Sequence, residues 1–98
     1  MIFAEIEDGS DYASFHAELE TFFKSHFAEV MSGLQGESWI WIFEGDEKVA
    51  IDTFSSMDFH QIKSSKHGTL VQRVIEILLL RYKVNVYQTP KLEAHEES

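Results

Sequence analysis

The chain has 98 residues, 8 basic against 17 acidic, and no cysteine. That length holds one domain rather than two, and the missing thiols exclude disulfides, thiolate metal centres and cysteine nucleophiles. A net charge of −9 opposes both the phosphate contacts of nucleic-acid binding and attachment to anionic membranes.

Residues 1–7 read as a strand, with Ile2, Ala4 and Ile6 alternating with Phe3, Glu5 and Glu7. The segment has neither the basic start nor the apolar run of a secretion signal. The most apolar stretch, Val74–Leu80, falls well short of the ~20 residues that span a bilayer. The expected compartment is the cytoplasm, with neither nucleic acid nor membrane as partner.

Asp8-Gly9-Ser10-Asp11 is a turn rich in helix N-cap residues. A helix is predicted from about 11 to 32. Phe15, Leu19, Phe22, Phe23, Phe27 and Val30 recur at three- and four-residue spacing, and Gly33 stands where a C-capping glycine belongs. Residues 37–44, Glu-Ser-Trp-Ile-Trp-Ile-Phe-Glu, form the clearest strand. Gly45-Asp46 suits a two-residue type II′ hairpin turn, and the return strand runs to about Ser55. Residues 56–65 connect onward, with room for one short strand around 59–63. A second helix is predicted over about 66–81, carrying Leu70, Val71, Val74, Ile75, Leu78 and Leu79. A last strand, Lys83–Tyr87, ends at Pro90, and residues 91–98 are expected to be an acidic, mobile tail beyond a single α+β domain over 1–90.

The order β-α-β-β-α-β resembles the ferredoxin-like split βαβ pattern, a two-layer sandwich with two helices on one face of an antiparallel sheet. The resemblance is one of architecture and carries no function.

Counting outward from Gly45-Asp46 pairs Ile42 with Val49, Ile40 with Ile51 and Ser38 with Thr53 on the face assigned to the helices. The opposite face pairs Phe43 with Lys48, Trp41 with Ala50, Trp39 with Asp52 and Glu37 with Phe54. Trp39, Trp41 and Phe43 each offer about 150–250 Å² for burial. Left bare they form a patch near the ~300–600 Å² maximum of ordinary monomers. Three covers suit them: the loop 55–65 or the tail, a second copy of the chain, or a different protein or flat small molecule. The expected interaction surface is Trp39, Trp41 and Phe43, rimmed by Lys48, Asp52 and Tyr87.

A second feature is the acid-free stretch Phe59–Ile75. Within it Ser64, Ser65, Lys66, His67 and Gly68 precede the second helix, whose N-terminal N–H groups favour anions. An anion-binding loop is the alternative site, although the P-loop spacing is absent. The competing assignment makes Ser64 or Ser65 the N-cap. His16 and Glu20, one helical turn apart, and His60 and His67 lack zinc-motif spacing, so neither metal nor cofactor is expected. Asp52 alone makes no catalytic mechanism, and no nucleophile elbow or dinucleotide fingerprint occurs. The expected role is a small acidic interaction or regulatory module that self-associates or docks on a protein partner. A binder of small anionic ligands, or an enzyme acting on them, is the alternative.

Overall fold

The computed structural model describes residues 1–7, 12–34, 37–54 and 59–92. The expected turn at residues 8–11, the connection 55–58 and the tail 93–98 lie outside them. The elements run β1 (Ile2–Glu7), α1 (Tyr12–His26), β2 (Glu29–Leu34), β3 (Glu37–Glu44), β4 (Glu47–Phe54), β5 (Phe59–Ser64), α2 (Thr69–Leu79) and β6 (Val84–Lys91). Among the described residues no helix is long and apolar enough to cross a membrane.

The first helix is shorter than its apolar stripe suggests. It stops at His26, and Glu29–Leu34 is a strand. Phe27 still accepts the helical spacing, its N–H bonding the Phe23 carbonyl at 2.9 Å. Beyond it Val30, Ser32 and Leu34 also fit a period of two. They pair with Ile42, Ile40 and Ser38 of β3. A short apolar run satisfies either period; here the backbone edge of β3 decides, because a buried strand needs its ladder completed. Gly33 is therefore a strand residue and caps no helix.

The hairpin has the register that counting gives. Every pair from Glu37↔Phe54 to Glu44↔Glu47 is in place. Gly45 has φ of 63° and Asp46 has a negative φ, the signs of a type II′ turn.

The sheet order is β2-β3-β4-β5-β1-β6, with every neighbouring pair antiparallel. This differs from the split βαβ arrangement. The hairpin has grown into a four-strand meander, and β5 lies between the return strand β4 and β1. Since β5 and β6 both run antiparallel to β1, they are parallel to each other. The unit β5-α2-β6 thus keeps one strand between its ends, while the crossover through α1 passes three strands to reach β2. The last strand also continues through Pro90 to Lys91, as an edge position permits.

Both helices cover one face and share one core. Phe15, Leu19, Phe22 and Phe23 of α1 and Leu70, Val71, Val74, Ile75 and Leu78 of α2 meet Ala4, Ile6, Ile40, Ile42, Val49, Ile51 and Ile62 of the sheet. Helix α2 begins at Thr69, with Gly68 as its N-cap and no side-chain cap bond from that residue. Neither Ser64 nor Ser65 caps it. The Glu47 carboxylate does so from β4, accepting from the Leu70 N–H and the Thr69 hydroxyl, each at 3.2 Å. A Cβ on residue 68 would fall on this carboxylate, so a larger residue there must displace the Glu47 side chain from its capping position. Glu47→Ala removes this cap and should lower stability by about 0.5–2 kcal/mol, measured by urea denaturation.

Candidate functional site

The helix-free face of the sheet presents Trp39, Trp41 and Phe43 in a row along β3, all half-buried. Alternation places them there, because Ser38, Ile40 and Ile42 point into the core. The indoles of Trp39 and Trp41 are tilted at 41° with centroids 4.6 Å apart, and Phe43 meets Trp41 edge-on at 6.5 Å. Gly33 lies opposite Trp39 on β2. A Cβ there would fall 2.5 Å from the indole, so the glycine lets the ring lie down over the neighbouring strand.

The rim residues divide. Lys48 places its ammonium 3.8 Å from the Trp41 ring centroid, a cation–π contact that marks the ring face as electron-rich. Asp52, across from Trp39, is held by Lys63 at 3.0 Å. Tyr87 is not part of the cluster. It sits on β6, four strands from β3, or roughly 19 Å at ordinary strand spacing. There its hydroxyl donates to Glu5 at 2.9 Å, and burial, with Glu5 beside it, raises its pKa. The segment 59–64 does not cover the aromatics either, since it is strand β5 within the same sheet.

The residues of the acid-free loop are largely engaged. The Ser64 hydroxyl donates to the Lys66 carbonyl at 3.0 Å, Lys66 pairs with Asp46 at 3.5 Å, and the His67 ring meets Phe3 edge-on at 5.2 Å. The Glu47 carboxylate holds the helix N-terminus that an external anion would take. His67 and Gly68 also line an open groove of about 580 Å³ with Thr69, Gln72, Arg73 and Glu76, and Arg73 is tied to Glu44. Ser65 is exposed. Among the described residues no group of three or more His, Cys, Asp or Glu side chains is placed to hold a metal ion.

Sequence reasoning missed a buried polar cluster between α1 and the sheet. Ser38, fully buried, lies 2.5 Å from His16 Nδ1 and 3.1 Å from His60 Nε2. A hydroxyl has one proton to donate and lone pairs to accept. The hydroxyl of Ser38 is thus shared between the two imidazoles, and the tautomer of each ring sets which partner donates. His16 Nε2 is 4.0 Å from Glu20, which in turn accepts from Ser32 on β2. The order acid–imidazole–hydroxyl is that of a nucleophile triad. With Ser38 at 0% exposure, no substrate reaches its oxygen, and the cluster acts as a bolt between α1, β2, β3 and β5. The signals were separately visible, as the i,i+4 spacing of His16 and Glu20 and the inward register of Ser38. What joined them, His60, depended on the phase of β5.

Compared with protein-family models, with curated proteins and with solved structures, the chain finds no match.

Burial is the largest influence on His16 and pushes its pKa below the ordinary 6.5; Glu20 opposes the shift and His60 adds to it. The unfolded chain thus takes up a proton at 6.5 that the folded one resists. Stability is full above that value and falls as pH drops through 6.5 towards the lowered native value. Glu20 is held below 4.5, chiefly by the Ser32 hydrogen bond, so its contribution is lost lower still, as pH falls below 4.5. The melting temperature should decline between pH 7 and 5.5, and His16→Gln should flatten that decline. Ser38→Ala leaves two buried imidazoles without their shared partner and should destabilise by about 1–3 kcal/mol, read from urea midpoints at pH 7.

Proposed function

We propose that this chain is a small acidic interaction or regulatory module that self-associates or docks on a protein partner through the aromatic sheet face. The observation that carries this reading is the row Trp39–Trp41–Phe43, half-buried on the sheet face opposite both helices. Large aromatic anchors beside charged groups are what the centres of protein interfaces are made of. Two details support it. The aromatics brace one another, so little side-chain freedom remains to be lost on docking. Their charged neighbours Lys48 and Asp52 are already paired within the chain, which leaves the rings as the adhesive part of the surface. The strongly negative charge keeps nucleic acid an unfavourable partner for the same rings.

Trp41→Glu tests the reading. The new carboxylate lies within reach of Lys48, so the fold has a local counter-charge, while the centre of the apolar surface is destroyed. Association followed by light scattering over a concentration series should weaken by about thirtyfold or more, the loss of a hot-spot residue. The circular dichroism spectrum should be unchanged. Unfolding of the variant would instead make Trp41 a core residue, and unchanged association would remove the face from the interface.

A further inference from the structure

The two edges of the sheet are built differently. β6 contains Pro90, which has no N–H to offer a further strand, and is flanked by lysine at its end (Lys91) and just before it (Lys83). Its neighbour β1 is irregular between Ile2 and Ala4. Proline, lysine and bulges are the means by which native sheets block edge-to-edge pairing. β2 has none of them. Its six residues, Glu-Val-Met-Ser-Gly-Leu, contain one charge, and its register against β3 runs unbroken. Two of its apolar side chains face outward, Met31 at 53% and Leu34 at 39% exposure.

We infer that β2 is the strand on which a second copy of this chain adds, antiparallel and about a two-fold axis, making one continuous sheet from two. This goes beyond the proposed function and can stand without it: self-association runs through the strand edge, and the joined sheets bring the two aromatic faces side by side as one docking surface.

The strand is complementary to itself. Directly opposed residues in an antiparallel pair share a face. Centred on Ser32, the two-fold sets Val30 against the partner's Leu34 on the helix side and Met31 against the partner's Gly33 on the aromatic side. Both exposed apolar side chains are then covered at once. Met31 reaches the partner's Trp39 ring, which lies over Gly33, and a thioether beside an indole is a favourable contact. Glu29 stands three positions from the axis, roughly 20 Å from its symmetry mate at strand rise. Glu20, bonded to Ser32, comes to the axis with Lys24 at 3.6 Å, so paired charges meet there. The remaining repulsion between two chains of −9 is long-range, and salt should tighten the dimer.

The chain has no cysteine, which makes single thiols clean reporters. Ser32→Cys places a thiol at the axis, on the helix side of the edge. Ala50→Cys places one in the middle of the aromatic face, where only face-to-face packing brings two together. Light scattering of the wild type should give twice the 11.3 kDa chain mass. Mild oxidation should cross-link Ser32→Cys and leave Ala50→Cys free. Met31→Lys, which gives the edge the lysine it lacks, should weaken dimerisation by about tenfold or more with an unchanged circular dichroism spectrum. Cross-linking at Ala50→Cys but not at Ser32→Cys overturns the edge pairing and leaves face docking standing. A dimer cross-linked at Ser32→Cys and untouched by Trp41→Glu keeps the edge pairing and removes the aromatic face from self-association. A wild type that stays monomeric throughout, or binds only a foreign extended peptide along β2, overturns the inference.

Discussion

The Gly45-Asp46 turn determines which side of β3 the helices see. Two residues with positive φ at the first leave no freedom in the pairing that follows. Ile42 must face Val49 and Ile40 must face Ile51. A slip by one residue would send both tryptophans into the core and the isoleucines into solvent. The same register aims Ser38 inward, beneath α1, and aims Trp39 outward, above Gly33. The core, the buried hydroxyl and the aromatic face are three consequences of one turn.

The core it creates is not purely apolar. A serine shared by two imidazoles is an expensive thing to bury, since each polar atom left without a partner costs about 1–3 kcal/mol. Its value is positional. Apolar packing lets a helix slide along a sheet with modest loss, whereas His16 bonds Ser38 only when α1 sits at one height and one rotation. Glu20 extends the constraint to Ser32, on the edge strand β2. The long crossover that carries the chain past three strands thus lands with its helix pinned at two points. Helix α2 is positioned by similar means, its N-terminus bonded by Glu47 from β4. In both cases a side chain of one element satisfies polar groups of another, and the element order in space is specified by more than hydrophobic area.

The legible parts of the fold were those set by local chemistry. The turn, the pairs of β3 and β4, and the apolar stripe of α2 each lie within a few residues of their cause. The strand at 29–34 was hidden because Val30 satisfies both a helical and an alternating period, and what selects the strand is the open backbone of β3, a non-local fact. β5 showed only a weak alternation, His60 and Ile62 against Gln61 and Lys63, and its insertion next to β1 changed the sheet order. The aromatic row was readable once the turn was placed. Tyr87 was assigned to it on residue type alone and proves to be four strands away, because rim membership depends on strand order, which no local pattern encodes. The N-cap of α2 was sought among adjacent serines, whereas the capping carboxylate comes from a residue 23 positions earlier than Leu70.

The meander also sets the surroundings of the aromatic face. Had the sheet stopped at the hairpin, β3 would have been an edge strand carrying its own tryptophans. The addition of β2 moves the aromatics one strand inward and supplies Gly33 as the floor for Trp39, so the rings gain support without being buried. It also transfers the exposed backbone edge to a strand with a single charge, Glu29, and two exposed apolar side chains, Met31 and Leu34. Support for the face and openness of the edge therefore arise from the same six residues. A side chain at position 33 would lift Trp39 off β2 and disturb both features together, which ties the shape of the aromatic surface to the strand beside it.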